Sequence, residues 1–180
     1  MRDLETADQE AIDRAVEEAL FAEKIGASAL TFTCSTKQVY VDAARKVLDA
    51  LDGHDVTLVI QVHEGRTLKT MEDLTEVLDA VADDRIKVQH EVGSFHALGV
   101  GAVDVVERFG ERIGLVHVKD MVGAQSVPLG TGEIDLPGLF DAMREVGYTG
   151  FYVIEIANLD GENTGRYFGE AVAYLRTRCQ

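Results

Sequence analysis

The sequence predicts an α/β fold built on a parallel sheet. Five short runs of β-forming, mostly apolar residues recur at a spacing of roughly 25 to 40 residues. Amphipathic helical patterns fill the intervals, and the linkers between them are short, so each strand returns through a right-handed helical crossover. This repetition suits either a doubly wound sheet or part of an eight-fold barrel, and periodicity alone leaves both open.

The elements follow in order. Thr6-Ala7-Asp8-Gln9 reads as a capping box with Thr6 as the cap and Gln9 reaching back. The helix it opens carries Ile12, Ala15, Val16, Ala19, Leu20 and Ile25 at helical spacing and closes at Gly26. Residues 29–34 form a short strand and 39–51 a helix, with Gly53 just beyond it. Residues 57–62 are the next strand, whose almost unbroken apolar run predicts burial on both faces. A helix over 70–81 places acidic residues in its first turn, where the helix dipole favours them. Then come a strand at 86–91, a helix at 100–109 stopped by Gly110, and a strand at 113–118 followed by a loop of more than a dozen residues. Asp135 caps a helix with Pro137 in its first turn, running to about Val146. The last strand spans 151–156 and the last helix 164–178.

The totals exclude several classes. At 180 residues and 46% hydrophobic content the chain has enough material for one domain with a good core. No apolar run is long enough to span a membrane, and the first ten residues lack the basic and apolar regions of a signal peptide. Cys34 and Cys179 are a lone, distant pair rather than a disulfide framework, which points to a reducing cytoplasm. A net charge of -15 disfavours nucleic acid, because phosphate binding needs clustered Lys and Arg.

Chemistry in such a sheet belongs at the carboxyl ends of its strands. The second strand ends I-Q-V-H-E-G, offering Gln61 and His63 on one side. The third offers His90 or Glu91, then Ser94 and His96; the fourth offers His117 and Lys119; the fifth offers Glu155. The first offers only Thr33 and Cys34. One imidazole, two carboxylates and an amide oxygen make an open site for Mn²⁺, Mg²⁺ or Co²⁺, with Zn²⁺ a further candidate. Each residue also has a structural reading. His117 reads equally as a satisfied core histidine, Glu91 as the first solvated residue after its strand, and Lys119 with Asp120 as a surface ion pair. Glu155 is the most telling, since a charge among apolar strand neighbours is costly unless paired or metal-bound.

At these residues the chain resembles the xylose isomerase-like TIM-barrel superfamily, in its sugar phosphate isomerase/epimerase group. The resemblance rests on R-I-G-L-V-H-V-K-D, P-L-G-T-G-E-I-D-L-P-G-L-F and E-V-G-Y-T-G-F-Y-V-I-E, spanning 112–155. It implies a partial (β/α)8 barrel of about five strand-helix units, barrel strands four to eight, forming one domain over 1–180. The first three units have no counterpart, since a complete barrel needs about 250 residues.

The resemblance also implies a metal ligand set of Gln61, Glu91, His117 and Glu155, with Gln61 standing where the family has Glu and Glu91 where it has Asp. His63, Ser94, His96 and Lys119 become substrate-binding candidates, and Glu155 and Lys119 catalytic ones. A register shifted by two would instead put Gly93 at the ligand position and His96 in place of Ser94; the first register keeps a carboxylate there. Gln61 cannot take a proton, which favours a one-base isomerisation or dehydration over a two-glutamate epimerisation.

The leading expectation is thus a divalent-metal-dependent isomerase or epimerase acting on a sugar or sugar phosphate in the cytoplasm, with no membrane or nucleic-acid partner. The alternatives are a non-catalytic barrel fragment serving as a binding module and, more remotely, an endonuclease IV-like repair enzyme. Open sheet edges predict a homo-oligomer.

Overall fold

The first helix begins two residues later than the capping box predicts. In the computed structural model, which describes residues 4–157 and 161–178, α1 spans Gln9–Lys24 with Asp8 as its cap. The Asp8 carboxylate accepts from the Ala11 N–H at 2.9 Å, and the Thr6 hydroxyl donates to that carboxylate instead of capping the helix itself. An ionised carboxylate is the stronger acceptor, so it takes the orphan N–H. Cys179 lies outside the described residues.

Internal contacts group the residues into two units, Met1–Gln89 and His90–Gln180. In the first, β1 (Ala29–Thr31) is followed by α2 (Lys37–Ala50), β2 (Thr57–Ile60) and α3 (Met71–Val81), and β3 (Ile86–Glu91) begins. β1 pairs in parallel with β2 from Ala29↔Thr57, and β2 with β3 from Leu58↔Ile86. Leu58, Val59 and Ile60 are fully buried, as their unbroken apolar run predicts. Thr70 and Asp73 form a reciprocal capping box at the start of α3. Both β1 and β2 end sooner than the apolar runs suggest, although Phe32 N–H still donates to Val59 O at 2.8 Å.

β3 continues into the second unit. There α4 (Val92–Ala97) and α5 (Ala102–Phe109) lead to β4 (Ile113–Val118). The hairpin β5 (Asp120–Val122) and β6 (Gln125–Val127) precedes α6 (Leu136–Glu145), β7 (Tyr152–Ile154) and α7 (Thr164–Arg178). β4 and β7 are parallel neighbours from Val116↔Tyr152, whereas β5 and β6 are antiparallel.

Two elements differ from the sequence expectation. A six-residue helix follows β3 at once, because Val92 and Phe95 both bury and fall on one helical face. The loop beyond Val118 contains a hairpin, turned at Gly123 with φ 54°.

Apart from that hairpin the strands are parallel, each followed by a helix. The fold is therefore α/β, a partial (β/α)8 barrel of five parallel strands. No helix among the described residues is long and apolar enough to cross a membrane.

Candidate metal centre

Side chains alternate along β3, so His90 and Glu91 face opposite ways. His90 is buried, bonds Ala102 O through Nε2 at 3.0 Å, and meets Phe95 edge-on. Burial lowers its pKa to about 4, which keeps it a neutral core residue. Glu91 faces the other way, toward His117.

Three elements of the second unit bring three ligand groups together. Glu91 ends β3, and His117 is the penultimate residue of β4. Glu155 lies one residue past β7, where its N–H donates to Val118 O at 3.0 Å. His117 Nδ1 stands 3.0 Å from Glu91 Oε2 and 3.2 Å from Glu155 Oε2. The three ligand atoms all lie within 4.8 Å of one another. Lys119 Nζ donates to the other Glu155 oxygen, Oε1, at 2.8 Å.

The electrostatics follow from this crowding. Burial raises the pKa of Glu91, whose side chain is 4% exposed, and the neighbouring Glu155 carboxylate pushes it the same way. Glu155 is held well below the usual carboxylate range, first by His117 and then by Lys119. His117 is pushed up to about 9, chiefly by Glu155 and then by Glu91.

Two carboxylate oxygens and an imidazole nitrogen converging on one point are a donor set that fits Mn²⁺, Mg²⁺, Co²⁺ or Zn²⁺. The burial of Glu91 supports the fit, since a buried carboxylate beside a second one is relieved by a shared cation.

The other expected residues have different surroundings. Gln61 belongs to the first unit. Its Oε1 accepts from Gln89 Nε2 at 2.7 Å, and Gln89 Oε1 accepts from the Thr31 hydroxyl at 2.9 Å, so the three form a polar row across β1, β3 and the end of β2. His63 is exposed, with Nδ1 2.9 Å from Glu64 O. Ser94 and His96 lie on α4, and His96 Nε2 is 3.7 Å from a Glu133 oxygen.

The expected surface pair of Lys119 and Asp120 does not form. Lys119 turns to Glu155, whereas Asp120 is buried and accepts the N–H groups of Met121, Gly130, Gly132 and, more distantly, Ile134. Asp120 thereby ties the hairpin and the P-L-G-T-G loop to the end of β4. The glycines 10 and 12 residues downstream were the available signal for that role: a Cβ on Gly132 would collide with the Asp120 carboxylate.

Comparison with known proteins places these residues in context. A model of the xylose isomerase-like TIM barrel matches residues 2–178. The chain belongs to that family. Within the xylose isomerase-like TIM-barrel family it is 24% identical over 170 residues to an inosose dehydratase of Geobacillus thermodenitrificans (strain NG80-2), covering 82% of this chain and 56% of that protein. An inosose isomerase of Bacillus subtilis (strain 168) is 23% identical over 130 residues, 67% of this chain and 47% of its own. The chain thus spans about half the length of the relatives it matches.

Among solved structures, a zinc-bound IOLI protein superposes with a TM-score of 0.77 at 19% identity, covering 94% of this chain and 69% of that one. A D-allulose 3-epimerase from Methylomonas sp. gives 0.75 at 17% identity, covering 94% and 68%. At such identities the likeness shows the fold.

Proposed function

We propose that this chain carries the metal centre of a sugar isomerase, epimerase or dehydratase-like protein. The observation that carries the reading is the convergence of Glu91, His117 and Glu155. Family membership and relatives named inosose dehydratase and inosose isomerase support a sugar as the substrate class. The lone, distant pair of Cys34 and Cys179 suits a reducing cytoplasm.

Glu91, His117 and Glu155 would hold a divalent ion. Such an ion, when bound, polarises a carbonyl or hydroxyl oxygen of the sugar. Glu155, whose side chain is 44% exposed, would be the group that accepts a proton from the carbon beside that oxygen. The Lys119 ammonium places positive charge where the substrate oxygen becomes negative. Gln61 cannot exchange a proton, which favours one-base isomerisation or dehydration over a two-base epimerisation.

The test is a Mn²⁺ and Co²⁺ titration read by thermal unfolding. Ligand at a hundredfold its dissociation constant should stabilise the fold by about 2.7 kcal/mol. Glu155→Gln should erase most of that gain. An unchanged melting temperature in millimolar metal, or an equal gain in Glu155→Gln, sinks the reading. A second reading, a binding module without turnover, is favoured by Gln61 and Ser94, neither of which can take the acid-base role of the groups the family has there. Metal binding without conversion of inosose or a ketose by the metal-loaded protein would select it.

A further inference from the structure

Gly93 is a glycine that no backbone torsion demands. It lies buried inside α4 without a positive φ, at a position where alanine is the better helix former. What occupies the missing side chain's place is Lys119. A methyl group on Gly93 would stand 2.7 Å from Lys119 Cδ, 3.6 Å from its Cγ and 3.5 Å from Glu91 Oε1. The lysine stem therefore lies across bare backbone two residues beyond Glu91. From there its ammonium reaches Glu155 Oε1 at 2.8 Å, with the side chain only 16% exposed.

We propose that Gly93 is a positioning residue, the seat on which the stem of Lys119 rests so that its ammonium fixes Glu155. The carboxylate is thereby divided, one oxygen on Lys119 and the other on His117. Any side chain at 93 lifts the stem and frees Oε1. The flexible lysine gives way before the buried carboxylate of Glu91 does, because only Lys119 Cδ lies inside contact distance. The consequence for metal affinity rests on the proposed function; the seat itself does not.

The experiment follows the Lys119 ammonium by ¹⁵N NMR in the metal-free full chain, assigned with Lys119→Ala. In the unaltered protein the signal should be displaced from those of exposed lysines and protected from solvent exchange. Gly93→Ala should move it to the exposed-lysine position with the protection lost. Co²⁺ affinity, read from its visible absorption, should change in Gly93→Ala in the same direction as in Lys119→Ala, by about fivefold or more. Adding Gly93→Ala to Lys119→Ala should change nothing further.

A folded Gly93→Ala with an unshifted, protected ammonium overturns the proposal, as does an equal effect of Gly93→Ala with and without Lys119. If Gly93→Ala fails to fold, a folded Gly93→Ala/Lys119→Ala double supports the seat, and an unfolded double overturns it. Failure of Co²⁺ to bind the unaltered protein removes the metal centre and leaves the ammonium signal to decide on Gly93.

Discussion

Asp120 accepts N–H groups on both oxygens, Met121 and Ile134 on Oδ1 and Gly130 and Gly132 on Oδ2. Asp120→Asn keeps the shape but turns an NH₂ group toward one of those pairs. Leaving buried donors unsatisfied should cost roughly 3 kcal/mol, measurable by urea unfolding; a loss under about 0.5 kcal/mol would show that the loop stands without this carboxylate. Of the three converging groups, Glu155 stood out in the sequence as a charge among apolar strand neighbours and His117 as a titratable group in a similar setting, whereas Glu91 was preferred to His90 only through the family resemblance. The loop-tying role of Asp120 left only a faint mark, the glycines 10 and 12 residues downstream that fold back onto it, and Gly93 left none, since its role depends on a lysine stem from another element. Neither relation has a fixed spacing along the chain.

At the scale of elements, the strand at Ile86–Glu91, the strand at Ile113–Val118 and the helix at Thr164–Arg178 have the bounds the sequence predicts. The hairpin does not stand out, since strands of three residues are too short to show a period. Helix starts depend on competition between neighbouring acceptors, as at Thr6 and Asp8. The turn after α3 permits a pH prediction. Ala82 ends the helix in the left-handed region, and Asp83 then takes both the side chain and the N–H of Arg85. The guanidinium of Arg85 chiefly lowers the Asp83 pKa. A depressed carboxylate contributes stability that is present above its unfolded value, near 3.9, and is lost as pH falls through the folded value. Asp83→Asn should therefore melt lower than the unaltered protein at neutral pH, with the gap closing below about pH 4. A gap that stays constant to low pH would mean that the ion pair contributes nothing.

For the whole molecule, a parallel α/β fold was legible from alternation alone, whereas the choice of a barrel over a doubly wound sheet needed the motifs of 112–155. Its charge of -15 keeps copies apart, while large apolar side chains near β1 (Phe21 and Ile25) and at β7 (Phe151 and Val153) favour association. Salt weakens only the first effect, shortening the screening length to about 10 Å at 0.1 M. Sedimentation velocity should show self-association growing with NaCl concentration and reduced by Phe151→Lys. A monomer at every salt concentration would refute this balance.

The polar row of Thr31, Gln89 and Gln61 has a sense of donation, like a line of dominoes that can fall either way. As it stands, the Thr31 proton starts the row and the NH₂ group of Gln61 ends it. Turning both amides over, so that Gln61 donates to Gln89 and Gln89 to Thr31, keeps these two contacts and ends the row on an oxygen. No strand has to move for this reversal. A molecule offering an acceptor to Gln61 preserves the present sense, and one offering a donor inverts it as far as Thr31. A glutamate there would answer its visitor by exchanging a proton; the glutamine answers by tautology of shape, presenting the same outline with the opposite polarity.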